Sequence, residues 1–373
     1  MKAGWKTVRL GDVARIISGR NQREVESPNG PHPIIGSGGE MGRAKQTLCP
    51  AETTVVGRKG SINRPFFMTE PFWNVDTAFG ISADQNAVTP KFLHYFCLSF
   101  DFTTLNKGTT IPSLVKSDIA EIPIPLPPLA EQKRIVALLD EAFACIDEAK
   151  AKAEAAQRAS AKIFESQVGL SFAENNDWKE ATLSDLGKTL TGTTPPTANP
   201  EYYGEYIPFV KPADFNDDGT LVIDNHGLSR EGEKVARVTN PSSVLMVCIG
   251  ATIGKTGYTT KRITTNQQIN SFTPGSSVNF KFAYYQMISS SFQKEVFARA
   301  NQATMPMISK SKWSEISLRF PTSYETQAEL AERLSELKSL TGKLSEIADR
   351  KVAALNEIRS SLLAQAFAGE LTA

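Results

Sequence analysis

The heptapeptide Gly250-Ala251-Thr252-Ile253-Gly254-Lys255-Thr256 places a lysine and a threonine directly behind a glycine. Such a loop can cradle phosphates with its backbone N–H groups and neutralise them with the lysine. The phosphate-binding motif needs four residues between its glycines, however, and this chain has three. Its counterpart in the first half, Gly60-Ser61-Ile62-Asn63, lacks Gly-Lys-Thr altogether, so the segment reads as a β-turn lining a surface. Asn199-Pro200-Glu201-Tyr202 is one residue away from the Asn-Pro-Pro-Tyr of adenine methyltransferases, but Glu201 stands where the second proline belongs. No glycine-rich cofactor loop precedes it, and a plain turn is the simpler reading. The histidines (His32, His94, His226) and cysteines (Cys49, Cys97, Cys145, Cys248) are scattered and form no CxxC pair. A zinc site is therefore not expected, and the thiols read as buried or neutral groups in a reducing cytoplasm. No nucleophile–base–acid set stands out. The chemistry on offer is binding chemistry, with no catalytic site and no cofactor of its own.

The elements that must position such groups are written twice. Trp5-Lys6, Leu10, Asp12 and Gly19 are answered by Trp178-Lys179, Leu183, Asp185 and Gly192 at an offset of 173. Val55-Val56-Gly57-Arg58-Lys59-Gly60-Ser61-Ile62 and Leu245-Met246-Val247-Cys248-Ile249-Gly250-Ala251-Thr252 are both apolar runs that end at a glycine turn. Thr110-Ile111-Pro112-Ser113-Leu114 is matched by Thr304-Met305-Pro306-Met307-Ile308 at an offset of 194, and the segments from Gln132 and Gln327 run in step at 195. A growing offset means that the second copy carries about 20 extra loop residues, in a duplicated unit of globular domain plus long helix. Short runs of Val, Ile, Phe and Thr punctuated by Gly, Pro and Asn predict curved β-structure, with helices over 91–102 and 280–300. Each globular part is thus expected to be α+β.

After Pro127-Pro128, the positions Ile135, Leu139, Ala142, Ile146, Ala149, Ala153, Ala156, Ser160, Ile163, Gln167 and Leu170 step by four and three. Leu330, Leu334, Leu337, Thr341, Leu344, Ala348, Lys351, Leu355, Ile358, Leu362 and Gln365 do the same after Pro321. That spacing is a coiled-coil seam, and about 40 residues of helix would extend roughly 60 Å. One seam is rich in alanine and the other in leucine, so an intramolecular antiparallel pair is expected. The alternative is that each helix pairs with another chain. The expected division is 1–127 globular, 128–175 helix, 176–321 globular and 322–373 helix.

The chain has 373 residues and a net charge of +1, which does not by itself suggest a nucleic-acid partner. Split by segment, the two globular parts carry +3 and +2 and the two helical parts −2 apiece. Two weakly basic bodies on acidic helices permit DNA binding. No apolar stretch approaches a membrane span and the start shows no secretory signal, so a cytoplasmic protein is expected.

The plan resembles the specificity subunit of type I restriction–modification systems. The motifs carrying the resemblance are Ile122-Pro123-Ile124-Pro125-Leu126-Pro127-Pro128-Leu129-Ala130-Glu131-Gln132-Lys133-Arg134-Ile135-Val136 and Ser361-Leu362-Leu363-Ala364-Gln365-Ala366-Phe367-Ala368-Gly369-Glu370-Leu371. Thr191-Gly192-Thr193-Thr194-Pro195-Pro196, followed by Asn199-Pro200-Glu201-Tyr202-Tyr203-Gly204 and Ile207-Pro208-Phe209, looks like the opening of a target-recognition domain in that family. Two departures are plain: the first domain reads Ser18-Gly19-Arg20-Asn21-Gln22 at the equivalent point, and the second junction, Phe320-Pro321-Thr322-Ser323-Tyr324-Glu325-Thr326-Gln327, has lost most of its prolines.

The resemblance implies a non-catalytic subunit that reads double-stranded DNA as two unlike half-sites, with the helices setting the spacer. It further implies docking of two adenine-methyltransferase subunits and of motor–nuclease subunits, to which S-adenosylmethionine, ATP and magnesium would belong. Arg and Lys suit guanine edges, Asn and Gln suit adenine, and Ser and Thr suit phosphates. The candidate DNA contacts in the first domain are therefore Arg20, Asn21, Gln22, Arg23, Arg43, Lys45, Arg58 and Lys59. In the second they are Thr193, Thr194, Lys211, Lys255, Asn266, Gln267 and Gln268. Leu138, Phe143, Leu340 and Ile347 are candidate docking positions on the helices, or else part of a wider core. The competing function is a coiled-coil adaptor whose globular domains bind protein.

Overall fold

The computed structural model describes residues 4–173, 176–223, 227–301 and 305–371. His226 and Thr304 lie outside them. The chain divides into two compact units, Met1–Ala153 with Arg350–Ala373, and Glu154–Asp349. Both are α+β, and each takes one half of either long helix, Leu129–Ser171 and Tyr324–Ala368.

In the first unit, Ala14–Ser18, Ala78–Ala83, Thr53–Gly57 and Phe66–Met68 form an antiparallel sheet in that order. A second sheet holds Gly39–Ala44, His32–Gly36 and Trp73–Asn74, the last two in parallel. The second unit repeats this plan. Gly187–Thr191, Ile269–Pro274, Ser243–Val247 and Thr256–Thr259 form the first sheet, and Ile207–Val210 pairs in parallel with Ile263–Thr265. Between those strands the offset rises from 175 to 190, so much of the extra length lies in 211–242. The expected helix over 280–300 is two helices, Phe280–Met287 and Ser290–Arg299. The break occurs because Ser289 leaves the helical path and its hydroxyl caps the Phe292 amide.

In each unit the first strand pairs with the strand that leads into a long helix: Lys6–Arg9 with Pro123–Leu126, and Lys179–Thr182 with Ser317–Phe320. Just beyond, a fully buried glutamine ties the helix to the domain. Gln132 Oε1 accepts the Thr89 amide (2.8 Å), and its Nε2 donates to the carbonyls of Ala87 and Pro127 (2.9 Å each). Gln327 repeats the arrangement with the Asn279 amide (2.8 Å) and the carbonyls of Ser277 and Pro321 (2.9 Å each).

The helix pair is antiparallel. In the second unit Gln157 Nε2 donates to Ser345 Oγ (2.9 Å) and Ser160 Oγ donates to the Thr341 carbonyl (3.2 Å). In the first, Asp147 pairs with Arg359 at 2.9 Å. The seam differs from the expected one by a systematic slip. Leu334, Thr341, Ala348, Leu355 and Leu362 face inward as expected, but Leu344 and Ile358 are exposed. One residue later, Ser345, Val352, Arg359 and Ala366 are buried or half-buried in place of Leu344, Lys351, Ile358 and Gln365, and Lys338 is half-buried beside Leu337. The first helix slips alike: Ile163, Gln167 and Leu170 are exposed, while Phe143 and Val168 are buried and Phe164 half-buried. Phe143 is thus a seam residue and no docking surface; Leu138, Leu340 and Ile347 are exposed.

The two cations in the seam explain why hydrophobicity alone misplaced it. Arg359 lies over the Phe143 ring at 4.3 Å, and Lys338 lies 5.5 Å from the Phe164 centroid and 4.9 Å from that of Tyr284. Phe143 and Lys338 are equivalent in the repeat, as are Phe164 and Arg359. Each unit therefore holds one aromatic–cation pair with the partners exchanged. Burial pulls Lys338 down to about 8, with Asp218 opposing. A depressed lysine binds its proton less readily when folded, so its penalty is complete below pH 8 and is relieved as pH rises toward the ordinary lysine value. The melting temperature should accordingly gain a rising component between pH 8 and about 10.4, and Lys338→Met should abolish it. An identical pH profile in both proteins would contradict a desolvated ammonium.

Candidate nucleic-acid interface

The second unit brings most of its candidate polar residues onto one crossing of strands. The Thr193 amide donates to the Thr265 carbonyl (2.8 Å), and the Asn266 amide to the Val210 carbonyl (3.2 Å), next to Lys211. Thr194 Oγ1 donates to Gln267 Oε1. Asn266 is buried, and its amide group is committed to Gln268, donating to Oε1 (2.9 Å) and accepting from its backbone N–H (3.1 Å). It shapes the loop, while Gln267, Thr193, Thr194 and Lys211 remain exposed or half-exposed.

The first unit builds the same crossing with other side chains. The Gly19 amide donates to the Ala78 carbonyl (3.2 Å) and the Arg20 amide to the Asn74 carbonyl (3.0 Å). The Arg58 amide donates to the Thr77 carbonyl (2.7 Å), as that of Cys248 does to the Gln268 carbonyl (2.7 Å). Gly19 and Gly192 are required for the close approach: a Cβ would fall 1.8 Å from the Val75 oxygen or 2.2 Å from the Asn266 oxygen. The departure at Ser18-Gly19-Arg20 thus leaves the essential glycine in place. Asn21 Oδ1 accepts the Arg23 amide (2.9 Å), turning the chain toward Glu26 and Ser27, which pair with Ala44 and Arg43. Arg20, Asn21, Arg23, Lys45 and Lys59 are exposed, with Gln22 and Arg58 half-exposed.

Besides Asn266, Arg43, Lys255 and Arg58 are engaged within their own unit, Arg58 in part through its Nη1, which donates to the Asp76 carbonyl (3.3 Å). Arg43 donates to the carbonyls of Gly30 (3.1 Å) and Pro31 (2.9 Å) and pairs with Glu40 (3.5 Å). Lys255 pairs with Asp217 at 3.2 Å, in a groove beside Lys338 and Tyr284. The Gly250–Gly254 segment is a turn between antiparallel strands, with positive φ at both glycines (99° and 89°). A strand, not a helix, follows it, so the dipole end that a phosphate loop presents is missing there. Asn199 leads into a short turn, Pro200–Tyr202.

Sequence reasoning matched Thr110–Leu114 with Thr304–Ile308 without recognising what these segments touch. The Gly60 amide donates to the Pro112 carbonyl and the Gly250 amide to the Pro306 carbonyl, both at 2.9 Å, so each proline loop leans on its glycine turn. Of the titratable groups that could suggest chemistry, His94 is half-buried and pulled down to about 4 by desolvation, then by Arg359 and Lys91, and so stays neutral. Burial pushes the thiols of Cys49, Cys97 and Cys248 up to about 12, while Cys145 is exposed. Among the described residues no cluster could hold a metal ion, and no helix is long and apolar enough to cross a membrane.

A duplicated α+β body that presents variable loops from a fixed crossing, carried on paired long helices, defines a recognition scaffold. The family model for the type I restriction modification DNA specificity domain matches residues 2–158 and 175–349. The chain therefore belongs to this family and is a non-catalytic specificity subunit of a type I restriction–modification system. The specificity subunit of the HindI type I restriction enzyme of Haemophilus influenzae is 24% identical over 85% of this chain and 90% of its own length. A chain from a type I system, solved to describe complex assembly and conformational transition, matches with a TM-score of 0.80 at 19% identity, covering 100% of this chain and 99% of that one. The crystal structure of the HsdS subunit from Thermoanaerobacter tengcongensis matches with a TM-score of 0.58, also at 19%, covering 100% and 98%. At such identity the two structures establish a common fold.

Proposed function

We propose that the chain binds one bipartite, asymmetric DNA target, each unit reading its own half-site through the crossing at Gly19 or Gly192. The observation that carries this reading is the duplication itself. Both crossings share one backbone hydrogen-bonding scheme, yet one displays Arg20, Asn21, Arg58 and Lys59 and the other Thr193, Thr194, Lys211 and Gln267. Identical supports with unlike polar groups suit unlike base sequences. In this reading 1–127 and 176–321 are the readers, and the helical segments 128–175 and 322–373 set the unread spacer. Two adenine-methyltransferase subunits and motor–nuclease subunits dock on the scaffold, with Leu138, Leu340 and Ile347 as candidate contacts, and bring S-adenosylmethionine, ATP and magnesium with them.

Co-expression with the partner methyltransferase subunit, followed by mapping of adenine methylation across the host genome, tests this. One bipartite, non-palindromic motif should appear, and it should vanish when this chain is omitted. Methylation that persists unchanged without the chain would refute the reading and favour an adaptor that binds protein.

A further inference from the structure

In each unit the most exposed apolar side chain of the proline loop that leans on the glycine turn is the residue just before the proline. Ile111 is 60% exposed and Met305 is 63% exposed. A single exposed aliphatic group is ordinary on a protein surface. Two at the same place in diverged repeats call for a common explanation. Asn106 Oδ1 accepts the amides of Gly108 and Ser113 (2.9 Å each), and Asn301 Oδ1 accepts the Met307 amide (2.8 Å). Lys59 bridges to Ser113, and Ile249 bridges to Met307 at the equivalent position. A Cβ on Gly108 would fall 1.9 Å from the Ile111 carbonyl oxygen, so the first loop is tightly wound. Pro112 and Pro306 follow the apolar residues and fix the local backbone angle.

We infer that Ile111 and Met305 are apolar base contacts, one for each half-site, projected from the same support as the polar readers. This rests on the bipartite-reading proposal and extends it. The occupant follows from the surroundings. In the first unit the tip stands beside the exposed Lys59, which follows the half-exposed Arg58 on the same turn, a setting suited to a polyanion, while Lys107 is paired with Asp118 at 3.4 Å. DNA offers such a side chain two apolar surfaces, the thymine methyl in the major groove and the faces of a base step. A tip already held by Asn and Pro loses little further freedom on contact, which favours a specific over an adaptable role.

The test uses the full chain assembled with its methyltransferase partner, carrying Ile111→Ser or Met305→Ser. The probes are duplexes bearing the mapped motif, versions with either half-site scrambled, and an unrelated duplex. Each variant should lose about tenfold in affinity for the intact motif and none for the unrelated duplex. Scrambling one half-site should weaken Ile111→Ser about tenfold less than it weakens wild type, and scrambling the other should do the same for Met305→Ser. Any other pattern from folded variants, including wild-type affinity or an equal loss on every duplex, overturns the inference. Unfolding temperatures report folding, and Ile111→Thr with Met305→Gln serve if a serine variant misfolds. If the wild-type complex prefers no half-site, the underlying reading of bipartite recognition fails instead.

Discussion

Replacing Gln132 with leucine should destabilise the first unit by roughly 3–6 kcal/mol, and Gln327→Leu should do the same to the second. Each glutamine is fully buried and makes three hydrogen bonds to backbone groups. Leucine can fill the space but leaves one N–H and two carbonyls without that partner, and each such orphan costs about 1–3 kcal/mol. Domains are stable by only about 5–15 kcal/mol, so the loss should be visible as a lowered calorimetric transition. Glutamate would retain the acceptor yet lose both donations, and should rescue little. The exposed Gln167 provides the control, since its leucine variant should stay within about 0.5 kcal/mol of wild type. A Gln132→Leu chain that melts like the parent would mean that helix and domain are joined by apolar packing alone.

These glutamines also show what the sequence could and could not disclose. Their recurrence at an offset of 195 was legible as part of a repeat, but a buried polar side chain leaves no hydrophobic signal to mark its bonding. The same limit governs the helices. Periodicity located both and their lengths, and the complementary volumes of the two seams suggested their antiparallel pairing; the half of the expected seam spaced by seven, Leu334, Thr341, Ala348, Leu355 and Leu362, does face inward. Periodicity missed the other half of each seam, because a guanidinium or ammonium can be buried against an aromatic face. Leu344 and Ile358 looked like core, yet they face outward. In the loops proposed to read DNA, residue type identified Arg20–Arg23 and Thr193–Thr194 as polar but could not distinguish display from internal work. Arg43 and Asn266 turned out to brace their own loops. Ile111 and Met305 escaped notice because a search for DNA contacts looks for charge and amides.

Gly19→Ala should abolish the first unit's share of DNA recognition, and Gly192→Ala the second's, each without touching the other. Neither glycine has the positive φ that excludes side chains on torsional grounds. The demand is one of space, so alanine is already too large. At Gly19 the added carbon would stand 1.8 Å from the Val75 carbonyl oxygen and 2.3 Å from its carbon. At Gly192 it would stand 2.2 Å from both the Asn266 oxygen and Thr265 Oγ1. Backbone atoms within a sheet crossing cannot move aside as the end of a flexible side chain can, so the strands must part. Overpacking of this kind costs about 1–3 kcal/mol or more, and it strains the hydrogen bonds from Arg20 to Asn74 or from Thr193 to Thr265 that place the readers. The expected readout is loss of methylation at the bipartite motif, and a complex whose residual DNA binding responds to scrambling of only the intact unit's half-site. Gly38, where a Cβ meets nothing within 4 Å, is the matched control and should tolerate alanine with no change in motif. A Gly19→Ala complex that still discriminates both half-sites would show that the crossing, although built twice, does not position the residues that read DNA.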